Sequence, residues 1–159
     1  MNDLVTNFGL NENALGHLTS SVQFGFIIGT LIFAILTIAD RFSPSKVFFV
    51  SALLAALFNL GIVWKGNGLT SLLSLRFFTG FFLAGIYPVG MKIATDYYAK
   101  GLGKSLGFLV GALVVGTAFP HLLKDLISDF SWTSVLFATS SLAVFGGFLM
   151  LLLVPNGPY

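Results

Sequence analysis

Few side chains in this sequence could do chemistry, and Arg76 is the most telling of them. It lies in Leu69–Thr95, LTSLLSLRFFTGFFLAGIYPVGMKIAT, among leucines, phenylalanines and glycines. A helix crosses a bilayer with about 20 apolar residues at 1.5 Å rise each. Counted from Leu69, Arg76 then falls roughly 10 Å below one membrane surface. A guanidinium at that depth is costly, so it is expected to face a polar partner or a wet cavity rather than lipid. Intramembrane charges of this kind mark substrate and ion pathways, although bonding to helix carbonyls or extension toward the outer face would be a purely structural use.

Asp40, Arg41 and Lys46 form a second group, in the short polar stretch DRFSPSK. A carboxylate beside cations at a helix terminus can bond backbone donors or a basic partner on a neighbouring helix. That chemistry makes and breaks ion pairs; as a plain alternative, the stretch is a solvated turn. Gln23 and Asn59 are uncharged polar groups inside apolar runs. Each can touch a small-molecule substrate or hydrogen-bond a neighbouring helix. Tyr87 sits near the expected midplane and reads at least as well as core. Lys92 lies toward the end of its run and is expected to extend its amine to the membrane surface. His17 and His121 lack metal-ligand spacing and read as interfacial.

The negative evidence narrows the classes. No His-Glu-x-x-His metal pair occurs and no serine is read as a nucleophile elbow, so an enzyme is not expected. A Gly-x-x-x-x-Gly-Lys-Ser/Thr phosphate loop is also missing, which argues against direct use of ATP. No cofactor and no metal site is expected. The net charge of +2 is too small and too scattered for nucleic-acid binding. With no cysteine, the chain has neither disulfides nor thiolate metal sites.

The elements that position these residues follow from composition. The sequence is 56% hydrophobic and 9% charged, whereas soluble domains carry about 25% charged residues. So few charges cannot cover a water-facing surface, and the fold class is an all-α integral membrane protein. Five spans are expected, over residues 18–39, 47–64, 69–95, 105–123 and 132–154, forming one transmembrane bundle over 18–154. Residues 1–17 are a polar leading segment with a helix start at Asn11-Glu12, and 155–159 are a breaker-rich tail or linker. The lipid bilayer is therefore a partner. The leading segment has no basic residue and no early apolar core, so no cleavable signal peptide is expected.

Glycines set how the spans meet. Gly25 and Gly29, and again Gly107 and Gly111, are small-xxx-small pairs that read as packing faces. Gly80, Gly85 and Gly90 recur at five-residue intervals, and Pro88 is expected to kink the third span. Basic residues set the orientation. Arg41, Lys46, Lys100 and Lys104, with Lys92 nearby, gather on one side; Lys65 and Lys124 lie on the other beside Asp3, Glu12, Asp125 and Asp129. The positive-inside rule puts the first group in the cytoplasm, hence the N-terminus outside and the C-terminus inside. An outside N-terminus without a signal sequence suggests a preceding helix that starts inside.

Order, spacing and sidedness together resemble the major facilitator superfamily of transporters. The family loop Gly-x-x-x-Asp-Arg/Lys-x-Gly-Arg/Lys-Arg/Lys is matched by Asp40-Arg41 with Lys46 downstream, while Leu36, Ser43 and Pro44-Ser45 depart from it. The family's Arg-x-x-x-Gly is met by Arg76 and Gly80, and its glycine-rich fifth helix by Gly107 and Gly111, with Ala112 where antiporters carry proline. The resemblance covers nearly the whole chain. It implies helices two to six of the N-terminal half of a secondary transporter in a bacterial inner membrane, completed by a first helix and a second six-helix half. It further implies that Asp40, Arg41 and Lys46 gate the cytoplasmic side, and that Arg76, with Gln23 and Asn59, serves substrate or coupling. A different class also fits five glycine-faced spans: a small membrane protein that assembles with a larger complex and transports nothing itself.

Overall fold

In lipid, backbone N–H and C=O groups must be satisfied within their own segment, so apolar runs of this length become helices. The computed structural model describes residues 8–9, 13–98, 100–126 and 131–155, with backbone alone at 120, 121 and 123–126. Among these residues the chain is all-helical: α1 (Ala14–Ile35), α2 (Ile38–Arg41), α3 (Pro44–Gly61), α4 (Leu69–Leu83), α5 (Tyr87–Tyr97), α6 (Leu102–Leu126) and α7 (Trp132–Leu153). Five stretches are long and apolar enough to cross a membrane, α4 and α5 together forming one, Leu69–Tyr97. The helix start expected at Asn11-Glu12, the side chain of His121, residues 127–130 of the last link and the 156–159 tail lie outside the described residues.

Several helix ends differ from the expected ones, and three of the differences have a local reason. The first span begins at Ala14 and ends at Ile35, because Thr37 takes a left-handed φ of 48° that a helix cannot continue. A single turn, α2, follows and carries Asp40 and Arg41. The second span starts at Pro44 instead of Val47, since proline in the first turn needs no N–H partner. The third span breaks at Ala84–Ile86. There Gly85 and Ile86 donate to the carbonyls three residues back, at 3.0 and 3.1 Å. Pro88 stands in the first turn of α5, where its ring would crowd the Ala84 carbonyl of a continuous helix. The expected kink thus falls a turn ahead of the proline.

With no hydrophobic force between helices in lipid, close packing and interhelical hydrogen bonds hold the bundle. α1 and α4 share its most extensive contact. A Cβ on Gly25 would strike the Phe77 carbonyl, one on Gly80 the Val22 carbonyl, and one on Gly29 would stand 2.5 Å from the Phe81 oxygen. Ser21 Oγ donates across the same seam to the Leu73 carbonyl at 2.7 Å. α3 is central and packs on α4, α5 and α7. Its Phe58 ring stacks on Phe78 and Phe82, with centroids 5.0 and 5.6 Å away. Gly85 in the break faces Ser51 of α3 and Phe33 of α1, and leaves no room for a side chain. α6 stands at the margin, touching α5 and α7 lightly.

Candidate functional site

Helical spacing divides α4 into faces. Leu73, Phe77, Gly80 and Phe81 meet α1, while Leu75, Phe78 and Phe82 meet α3. Leu72, Arg76, Thr79 and Leu83 share a third flank by their three- and four-residue steps. Leu72 is fully buried against Leu18, Ile62 and Leu136, Thr79 is buried, Arg76 is half-buried and Leu83 is exposed. The flank therefore opens only between Thr79 and Leu83, and the arginine sits deeper, between the buried Leu72 and Thr79. Thr79 Oγ1 donates to the Leu75 carbonyl at 2.8 Å, within its own helix.

The other substrate candidates are placed differently. Gln23 is exposed on α1, about 200° around the helix from Gly25, so it points away from the α4 seam. Asn59 is engaged: its Nδ2 donates to Ser140 Oγ of α7 at 3.0 Å. It ties α3 to α7, which is the interhelical use expected as an alternative. Tyr87 is half-buried in the first turn of α5.

The polar end of the bundle holds an ion cluster that the residue pattern alone did not reveal. Lys92 Nζ bonds both oxygens of Asp96, at 2.7 and 3.0 Å, and lies 3.5 Å from Asp40 Oδ1. Lys92 therefore bridges α2 and α5 where simple extension to the membrane surface was expected. Its Asp96 contact was legible as a four-residue step on a helix, whereas its Asp40 contact depends on the fold. Arg41 turns the other way, and its Nε donates to Thr37 Oγ1 at 3.2 Å. Lys46 is exposed on the first turn of α3. Nearby, Tyr97 Oη donates to the Pro155 carbonyl and Ser45 Oγ to the Val154 carbonyl, both at 2.5 Å. These two bonds fasten the end of α7 to α5 and α3.

Glycine does not mean the same thing everywhere. Gly25, Gly29, Gly80 and Gly85 sit at close helix approaches, and Gly90 lies 3.2 Å short of Leu109 for an added Cβ. The packing expected at Gly107 and Gly111 is not made among the described residues, for a Cβ at either would meet nothing within 4 Å. The letters Gly103-Lys104-Ser105-Leu106-Gly107 spell a nucleophile elbow, but they lie in the first turns of α6. The elbow's chemistry needs a strand-to-helix turn.

Five spans of membrane length, an embedded arginine and an ion cluster at one end make up a helical membrane bundle. The chain belongs to the Major Facilitator Superfamily, whose family profile matches residues 1–159. It is 30% identical over 151 residues to the 4-hydroxybenzoate transporter PcaK of Acinetobacter baylyi, a match covering 95% of this chain and 31% of that protein. Against the 4-hydroxybenzoate transporter PcaK of Pseudomonas aeruginosa it is 28% identical over 156 residues, covering 94% and 32%. The chain thus spans about a third of the length of these relatives. No solved structure matches it. These similarities point to a transporter and away from an enzyme, and they lend no support to a stand-alone assembly protein.

Proposed function

We propose that these helices are the second to sixth of a secondary transporter that carries a small aromatic carboxylate, of the 4-hydroxybenzoate kind, across a bacterial inner membrane. The observation that carries this reading is Arg76, half-buried within the span on a flank of α4 that opens at Leu83, in a chain related to two aromatic-acid transporters. A guanidinium matches a carboxylate in shape and charge and can hold it with two parallel hydrogen bonds. In such carriers the solute binds near the midplane between two halves that rock around it. The second half and a first helix would supply the facing wall.

The basic end is assigned to the cytoplasm, with the N-terminus outside and the C-terminus inside, from the excess of Arg41, Lys46, Lys100 and Lys104 over Lys65 and Lys124. Asp40, Lys92 and Asp96 then form a cytoplasmic gate, a set of partly exposed ion pairs cheap enough to break in each cycle. Arg41 and Lys46 flank it.

The test is uptake of radiolabelled 4-hydroxybenzoate into proteoliposomes by the full-length transporter that contains these helices. Arg76→Ala is expected to cut uptake by about 10- to 100-fold, the loss of a hydrogen bond to a charged group, with Arg76→Lys retaining part of it. Wild-type uptake by Arg76→Ala at wild-type expression would remove Arg76 from the mechanism. Failure of the wild-type protein to take up any aromatic acid would overturn the substrate class.

A further inference from the structure

Away from the arginine flank, beside the proposed gate, the bundle carries a second feature. A cleft of about 450 Å³ opens between the end of α1, α2 and the first turns of α3, with Phe82 of α4 at its floor. This volume falls within the range of ligand sites, roughly 300 to 1,000 Å³. Phe33, Val47, Val50 and Phe82 make its walls apolar, while Arg41 and Lys46 stand at its polar end. Among the described residues neither cation forms an ion pair, since Asp40 is taken by Lys92. Ser43, the residue before the first turn of α3, also lines the cleft, and a helix N-terminus carries unpaired N–H donors and a positive dipole end.

Phe82 lies six residues beyond Arg76, hence about 120° around α4 from that side chain by the shorter way. The rim of the cleft includes Phe42 and Val50, which are 63% and 49% exposed, an apolar surface of the kind that an acyl chain can cover. Two cations at the polar end of an apolar slot complement an amphipathic ligand with an anionic head and a hydrocarbon tail. Basic pockets between spans bind anionic lipid head groups on these terms.

We propose that this cleft is a binding site for one anionic phospholipid, with its phosphate on Arg41 and Lys46 and an acyl chain along Phe33, Val50 and Phe82. The lipid would also rest against Ser51, which lines the cleft and packs on Gly85 in the helix break. Occupancy would therefore brace the junction of α4 and α5.

The experiment is native mass spectrometry of the full chain, released from detergent after incubation with equal amounts of phosphatidylglycerol and phosphatidylcholine. Phosphatidylglycerol is expected to be retained at least about tenfold more often, which is a difference of about 1.4 kcal/mol. The double substitution Arg41→Gln, Lys46→Gln should bring the two lipids level. Val50→Trp, which fills the slot and keeps both charges, should lower retention of both. Neutralising Lys100 and Lys104 at the same end, as Lys100→Gln, Lys104→Gln, should leave the preference intact. Equal retention by the wild-type chain would overturn the site, as would an equal loss from the Lys100 and Lys104 pair, which marks diffuse attraction. Displacement by inorganic phosphate alone would reassign the cleft to a free anion. A Val50→Trp chain that changed from dimer to monomer with lipid retention unaltered would assign it to a second copy.

Discussion

Two glycine pairs with the same spacing have opposite surroundings. Gly25 and Gly29 press α1 onto α4 so closely that an added methyl would enter the Phe77 carbonyl and approach the Phe81 oxygen. Gly107 and Gly111 on α6 face nothing within 4 Å, and α6 exposes Phe108 and Val115 to 70% and 68%. A small-xxx-small pair therefore marks a surface able to accept a close neighbour, without saying which neighbour. In the first pair that neighbour lies within these helices. In the second, the proposed transporter would supply it from its missing parts.

The largest expected effect breaks the closed side of this comparison. Gly80→Leu would drive a side chain into the Val22 carbonyl and the Phe26 backbone nitrogen, and neither can rotate aside. Separating α1 from α4 should destabilise the bundle by about 3 kcal/mol or more, read as a fall in the thermal unfolding midpoint in detergent. An unchanged midpoint would mean that the two helices do not meet at this crossing. Asn59→Leu comes next. It removes the 3.0 Å bond to Ser140 between α3 and α7, and a loss near 1 kcal/mol is expected in the same assay.

These two examples also show what the chain discloses by itself. Five membrane-length runs, the Gly25–Gly29 face and a bend near Pro88 follow from local residue types, because length, glycine spacing and a missing N–H act over a single turn. The left-handed Thr37 is different. A β-branched residue at a φ of 48° has no pattern to announce it, and it moved the end of the first span from residue 39 to residue 35. Lys92 is a mixed case, for Asp96 sits on its own helix and Asp40 is 52 residues away in sequence. Gln23 and Asn59 looked equivalent as polar residues in apolar runs. Only packing separated them, leaving one exposed and joining the other to Ser140.

Smaller effects sharpen the comparison. Lys92→Met should cost at most about 1 kcal/mol of stability, because Lys92 and Asp40 remain 31% and 63% exposed and water screens the pair. Its larger consequence should be in the uptake rate of the full-length transporter, if the cluster gates. Gly107→Leu should change the unfolding midpoint of this chain by less than the equivalent of about 0.5 kcal/mol. In the full-length transporter the same substitution should lower stability. Equal tolerance in both would mean that this face of α6 meets lipid.

The central claim is that the Arg76 flank of α4 borders the path of the solute. Leu83 shares that flank and is exposed, and these helices hold no native cysteine to confuse a thiol probe once any outside them is replaced by serine. Leu83→Cys in the full-length transporter should therefore react with a water-soluble maleimide, and saturating 4-hydroxybenzoate should slow that reaction. No reaction, as from a lipid-covered thiol, or a reaction indifferent to the aromatic acid, would contradict the account.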